Sequence, residues 1–160
     1  MAEYDNWEAL VAAADKKCSR ILEDDVYPVV KRIVLRHIFE DIYSSNQPKQ
    51  GMWVDGETYA RRFSLLDEGN IYHELQSGGN TLMVTSWATP SPAIVPGWSF
   101  HNRRPGAFLQ LLESGNMGIW YSGFPRPAIG NAQKELDEQI GHTTSEVGMA
   151  IQRGIDRKFK

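Results

Sequence analysis

The N-terminal region of the chain places its apolar residues at a helical period. Between Asn6 and Asp24 the apolar positions lie three or four residues apart and form one stripe. The stripe consists of Trp7, Leu10, Val11, Ala14, Cys18, Ile21 and Leu22. Asn6 is a residue type preferred at helix N-caps, so the pattern predicts a first helix from Asn6 to about Asp24. We expect its stripe, including Cys18, to be packed in a core.

A second helix is predicted from Tyr27 to Ser44. Asp24 or Asp25 would cap it, and Pro28 suits a first helical turn, where the missing N–H costs no hydrogen bond. Much of its apolar surface comes from Val30, Ile33, Val34, Phe39 and Ile42. Asn46, Pro48 and Gly51 then end the helical pattern.

In the middle of the chain, apolar residues recur at every second position on both sides of a turn, a pattern typical of a β-hairpin. Residues 71–75 and 81–87 alternate between apolar and polar, and a Ser-Gly-Gly-Asn turn separates them. The stretches 47–70 and 88–107 flank this hairpin and lack regular periodicity, so we expect two long loops. Residues 119–121 form a further short strand in this prediction.

The last part of the chain follows a stiff motif, Pro125-Arg126-Pro127. Each proline fixes its own φ and pushes the preceding residue toward extended backbone. Beyond the motif, apolar residues at helical spacing predict one long helix over residues 131–158, about 40 Å long if unbroken. Gly141 and the residues up to Thr144 mark the place where this helix would bend or break.

The composition indicates one globular domain. The chain has 160 residues, 41% of them apolar, and a net charge of −3, which gives no general preference for nucleic acid. Cys18 is the only cysteine, so no internal disulfide can form. The N-terminus resembles no signal peptide, and no apolar run reaches the roughly 20 residues of a membrane span. We expect a soluble protein made in a cytoplasm.

Residue patterns for catalysis or metal binding are weak. The histidines, His37, His73, His101 and His142, make no recognised zinc spacing with cysteine or with each other. The Gly-x-Ser-x-Gly spacing of a nucleophile elbow and the glycine pattern of a phosphate loop are absent from the sequence. Carboxylate pairs such as Asp24-Asp25 are explained by helix capping. The sequence therefore predicts no enzyme, no cofactor and no metal.

Two arginine pairs stand out because each lies beside aromatic residues. Arg61-Arg62 follows Tyr59, and Arg103-Arg104 follows Trp98. Such residues are enriched at protein interfaces, and they also bind single-stranded nucleic acid by stacking and phosphate contact. With an acidic chain, we favour protein–protein contact and keep nucleic acid as an alternative.

A series of short motifs, taken in order, resembles one family. The series is Asp25-Val26-Tyr27-Pro28, Tyr59-Ala60-Arg61-Arg62, Leu65-Leu66-Asp67 with Asn70-Ile71, Leu112-Glu113-Ser114-Gly115 and Pro125-Arg126-Pro127-Ala128-Ile129. It is similar to the tail-completion or neck proteins of tailed bacteriophages, also known as minor capsid or head–tail connector proteins. The resemblance extends over roughly residues 20–140, and the order and spacing of the motifs carry it.

The resemblance implies an α+β subunit with two N-terminal helices, a small, mainly antiparallel β-sheet with long loops, and a long C-terminal helix packed on the sheet. We expect a single domain over residues 1–160, with helices in 1–46, sheet and loops in 47–130 and the last helix in 131–160. Such subunits form a ring in the virion, between the head connector and the tail, around the channel through which DNA passes without sequence-specific binding.

The resemblance further implies that the partners are other copies of the chain and the neighbouring head-connector and tail proteins, and that no catalysis takes place. The residues predicted at the subunit interface are Tyr59, Arg61, Arg62, Trp98, Arg103, Arg104, Glu113 and Arg126. Among them, Arg61, Arg62 and Arg126 are expected to make ion pairs, either between subunits or within the sheet, with Glu113 as one candidate partner. The alternative is a non-enzymatic α+β module that binds a ligand or single-stranded nucleic acid.

Overall fold

The protein is mostly helical, with helices at both ends and small antiparallel strand pairing between them. The computed structural model describes residues 6–44, 50–52, 58–60, 64–86, 113–114 and 126–160. Over these residues the predicted α+β class is confirmed in its coarse form. The irregular stretch 88–107 and the short strand 119–121 lie outside the described residues.

The N-terminal helices are joined without a break. Helix α1 (Trp7–Ile21) continues into a π-helical segment (Leu22–Val26), helix α2 (Tyr27–His37) and a second π-helical segment (Ile38–Ser44). The predicted N-cap is confirmed, because the Asn6 side chain accepts a hydrogen bond of 2.8 Å from the Ala9 N–H. The predicted boundary near Asp24, with a cap there, is wrong.

Pro28 explains how the two helices can be continuous. A proline inside an α-helix removes one hydrogen bond, and its ring collides with the carbonyl four residues earlier. In the first π segment the Tyr27 N–H instead reaches the Leu22 carbonyl, five residues earlier. This wider turn, placed directly before Pro28, relieves the collision. The proline therefore lies in the first turn of α2, as expected, but this turn follows a π segment and not a cap.

A small two-stranded sheet interrupts the first predicted loop. Strands β1 (Gln50–Met52) and β2 (Thr58–Ala60) are antiparallel, with Gly51 opposite Tyr59. Two short 3-10 turns, Ser64–Leu66 and Glu68–Asn70, follow them. The prediction of an unbroken loop over 47–70 is wrong, since strands of three residues are too short to produce a clear alternating pattern.

The predicted hairpin is confirmed. Strand β3 (Ile71–Gln76) pairs with strand β4 (Thr81–Ser86), and exposure alternates along β4. Gly78 and Gly79 form the turn with φ values of 71° and 96°, a region that only glycine enters without strain. The sequence predicted this hairpin well because two alternating stretches flank residues that favour a tight turn.

The C-terminal region contains two helices and not one long helix. Helix α3 (Ala128–Gln139) and helix α4 (Glu146–Lys158) are separated at the place that the sequence marked. Gly141 has φ 90°, and the Ser145 side chain caps α4 by accepting a hydrogen bond of 3.0 Å from the Gly148 N–H. The prediction of a single helix over residues 131–158 is corrected by this left-handed glycine and new cap.

The chain divides into two compact units, each with its own core. The first unit comprises Met1–Arg32, His73–Val84 and Glu135–Lys160, and the second comprises Ile33–Tyr72 and Thr85–Lys134. Buried residues of the first unit include Ile21, Val26, Val29, Val30, Val147, Ala150 and Gly154. Buried residues of the second include Ile33, Val34, Ile38, Ile42, Leu65, Ile71, Ala128 and Ala132. A single domain over residues 1–160 stays a prediction.

In the first unit, α4 packs against α1 and the first π segment. The helices approach closely at Gly154, where a Cβ atom would lie 2.5 Å from the Ile21 side chain. The β3–β4 turn joins the same unit through Ser19, whose hydroxyl donates a hydrogen bond of 3.1 Å to the Gly79 carbonyl. This close packing brings the last turns of α1 and α4 into one unit.

Candidate functional site

The Pro-Arg-Pro motif leads directly into α3, and its arginine is buried. Arg126 has 6% of its surface exposed, whereas Pro127 is exposed. The first hydrogen bond of the helix runs from the Asn131 N–H to the Pro127 carbonyl at 2.7 Å. An Arg126→Ala change would therefore remove a buried side chain, so it would disturb folding as well as any subunit contact. The interface role of Arg126 stays a prediction.

Glu113 caps the N-terminus of α3 from outside the helix. Its Oε1 atom accepts hydrogen bonds from the Ile129 N–H and, at 3.0 Å, from the Gly130 N–H. Both N–H groups belong to the first turn of a helix and have no partner within it, and the positive end of the helix dipole favours a carboxylate there. Glu113 thus has a stabilising role within the chain, at the start of the helix that follows Arg126.

One more of the predicted interface residues lies among the described residues. Tyr59 lies in the short strand β2, opposite Gly51. The remaining ones, Arg61, Arg62, Trp98, Arg103 and Arg104, lie outside the described residues. Of the predicted set, the structure brings together Glu113 and the helix start that follows Arg126.

A polar cluster joins the second π segment to α3 in the second unit. The Asp41 Oδ2 atom accepts a hydrogen bond of 3.0 Å from the Asn131 side chain and lies 3.1 Å from the His37 Nδ1 atom. Histidine, carboxylate and amide at these distances hold two helices together. In the part of the chain that is described, no group of three or more His, Cys, Asp or Glu residues could hold a metal ion, and no helix could span a membrane.

Sequence reasoning missed a cluster of five basic residues in the first unit. The members, here called the basic cluster, line an open depression together with Ala13. They are Lys16, Lys17, Arg20, Arg157 and Lys158. Three come from α1 and two from the last turn of α4, so the cluster exists only because these helices pack together. In the sequence, the cluster corresponds only to two short runs of basic residues that lie far apart in the chain.

Carboxylates of the first π segment hold one side of the basic cluster. Arg157 Nη2 lies 2.7 Å from Asp25 Oδ2 and 3.5 Å from Asp24 Oδ2. Lys158 Nζ lies 3.1 Å from Asp24 Oδ2. The hydrogen bond from Lys158, with further attraction from Lys158, Arg157 and Arg20, lowers the pKa of Asp24 below its ordinary value although partial burial opposes this. Both carboxylates lie within ion-pair distance of these cations and hold the two side chains in place.

The first turns of α1 expose an apolar face that the sequence placed in a core. Trp7 is 74% exposed and Leu10 39%, and Cys18 is also exposed. The prediction that Cys18 is a core residue is wrong. Helical spacing identifies the face of a helix that is apolar, but it does not say whether the same chain covers it. We call Trp7, Leu10 and Val11 the exposed apolar face.

Comparisons of the chain with family models, with curated proteins and with solved structures found no match. Three features of the chain itself bear on its function. These are the ordered series of motifs, the exposed apolar face and the basic cluster.

Proposed function

We propose that the chain is a structural virion protein of a tailed bacteriophage, of the tail-completion or neck type. In this proposal it forms a homo-oligomeric ring between the head connector and the tail, around the DNA channel, and neither catalyses a reaction nor needs a cofactor. The ordered series of motifs supports the family. The proposal also includes a last helix that packs on the sheet.

The observation that carries the proposal is the exposed apolar face. A tryptophan that is 74% exposed at the start of a helix, with Leu10 and Val11 beside it, is a costly surface for a monomer. Aromatic and aliphatic side chains of this kind form the centres of protein interfaces. A closed ring needs two different patches on each subunit that fit head to tail, and the exposed apolar face would supply one of them.

The oligomeric state tests the proposal. Light scattering of the purified protein should give the mass of a closed oligomer, and negative-stain electron microscopy should show a ring with a central channel. The double variant Trp7→Glu/Leu10→Glu should raise the concentration needed for half-assembly at least about tenfold, because about 1.4 kcal/mol of lost contact already gives that factor. Thermal unfolding of the dilute subunit should change little, since both side chains are exposed.

The matched control is Ile140→Glu/Met149→Glu, which adds the same charge at two exposed apolar positions that do not belong to α1. It should leave assembly unchanged. A protein that stays monomeric at high concentration, or equal effects of the two double variants, would contradict the ring.

A second candidate is a non-enzymatic α+β module that binds single-stranded nucleic acid. One observation favours it, namely five basic residues around one depression in a chain of net charge −3. The two candidates make separate predictions, since a ring is detected by mass and image and a nucleic-acid module by salt-sensitive affinity.

A further inference from the structure

The basic cluster reverses the charge of the chain over one small surface. The whole chain carries −3, but five cations line this depression and two carboxylates, Asp24 and Asp25, bond to them. Five positive and two negative charges leave a local excess of three. A local excess of this sign on an acidic protein indicates an anionic partner.

Four of the five cations divide into two groups with different roles. Arg157 and Lys158 are bonded to the π-segment carboxylates. Lys16 and Arg20, one turn apart on α1, are exposed and form no ion pair with any described residue. The first group sets the shape of the depression, whereas the second leaves donors directed to solvent that an anion can reach.

An aromatic ring lies beside these cations. Phe159, the residue after α4, is 46% exposed, and Lys17 Nζ lies 4.8 Å from the centre of its ring. A purely acidic peptide would use the cations only, whereas a single-stranded nucleic acid uses cations for phosphates and an exposed ring for a base. The combination therefore favours nucleic acid over an acidic protein segment.

We propose that the basic cluster binds the backbone phosphates of a single-stranded nucleic acid, through Lys16 and Arg20, while a base stacks on Phe159. The contact is independent of sequence, because every base has a face that stacks and every nucleotide has a phosphate. The proposal rests on the first unit alone, so it applies to a monomer and to a ring subunit.

Fluorescence anisotropy with a dye-labelled oligothymidylate of about 20 nucleotides tests the proposal. The two phosphate contacts give a slope of about −1.4 for the logarithm of the binding constant against the logarithm of salt concentration. Raising the salt from about 50 mM to about 200 mM should thus weaken binding about sevenfold.

The double variant Lys16→Glu/Arg20→Glu should weaken binding at least about tenfold and flatten the salt slope, because two phosphate contacts are lost. The matched control, Lys134→Glu/Arg153→Glu, makes the same charge change at two exposed residues that do not line the depression. It should bind within about twofold of the unchanged protein. Phe159→Leu should weaken binding about tenfold without changing the slope, because it removes stacking and no charge.

Circular dichroism melts of every variant establish that each is folded. The proposal is overturned if the unchanged protein shows no salt-dependent binding, or if both double variants weaken it equally. It is also overturned if polyglutamate of similar length displaces the oligonucleotide at the same concentration as unlabelled oligothymidylate, which would identify an acidic protein as the partner. A ring that binds no oligonucleotide refutes this inference alone, and a monomer that binds it refutes only the ring.

Discussion

The two ends of α1 carry the same apolar stripe in different surroundings. At the C-terminal end, Ile21 is 4% exposed and packs against Gly154 of α4. At the N-terminal end, Trp7 and Leu10 face solvent. Since both ends are equally helical and equally apolar on this face, packing and not helix formation separates them. One end stabilises the first unit, and in the proposed ring the other would be the surface for a partner.

The largest difference in unfolding free energy is expected when one apolar side chain is shortened at each end of α1. Ile21→Ala should lower the free energy of unfolding by about 2 to 4 kcal/mol, because it leaves a cavity in the core of the first unit. Leu10→Ala should cost less than about 1 kcal/mol in dilute protein, since Leu10 is partly exposed and Ala favours helix. Urea unfolding followed by circular dichroism measures both. Equal costs would show that the N-terminal end is packed too.

A smaller loss of unfolding free energy is expected when one carbon atom is added where α4 contacts α1. In Gly154→Ala the new Cβ would lie 2.5 Å from Ile21 Cγ2 and 2.8 Å from Asp25 Oδ2, so the Ile21 side chain or the helices must shift. The expected loss of unfolding free energy is about 1 to 3 kcal/mol.

Gly130→Ala in α3 is the matched control for this addition. There the nearest atom to the new Cβ is 3.7 Å away, and Ala should stabilise the helix by up to about 1 kcal/mol. Thermal melts should therefore shift in opposite directions. If Gly154→Ala also raised the melting temperature, the contact between α4 and Ile21 would not be tight.

The smallest effect on stability is expected from the charged residues next to the packed C-terminal end of α1. Folding lowers the pKa of Asp24, chiefly through its hydrogen bond with Lys158, so this carboxylate stabilises the fold above its unfolded-state pKa. The stabilisation is lost as the pH falls through the folded-state pKa. Unfolding measured from about pH 5 to about pH 2 should thus depend less on pH in Asp24→Asn than in the unchanged protein.

Glu23→Gln serves as the comparison for Asp24→Asn, because it removes an adjacent exposed carboxylate that pairs with no described residue. It should alter the pH dependence less. An identical pH dependence of Asp24→Asn and the unchanged protein would mean that the carboxylate does not contribute through Lys158.

Local signals made parts of the fold predictable. The Asn6 cap, the β3–β4 hairpin and the break near Gly141 each depend on residues close together in sequence, and each was predicted correctly. The continuous N-terminal helix was not, because Pro28 usually marks a helix start and a π segment has no simple sequence pattern.

The candidate surfaces were less predictable than the fold. Cys18 and Trp7 belong to a regular apolar stripe, yet only the three-dimensional packing shows that these two residues are exposed. The basic cluster forms from two helices at opposite ends of the chain, so neither basic run was informative alone. Glu113 was selected as an interface residue, and its contact with the start of α3 became visible only in the structure.

The first π segment has a consequence for the directions in which the N-terminal helices face. Each residue of an α-helix turns the chain by about 100°, whereas a turn closed by a five-residue hydrogen bond advances less per residue. Leu22–Val26 therefore shifts the angular phase between α1 and α2 while the backbone stays helical. Val29 and Val30, which follow the segment, are buried. The segment thus lets one continuous helix bury side chains in α2 at a rotation that differs from the regular period of α1.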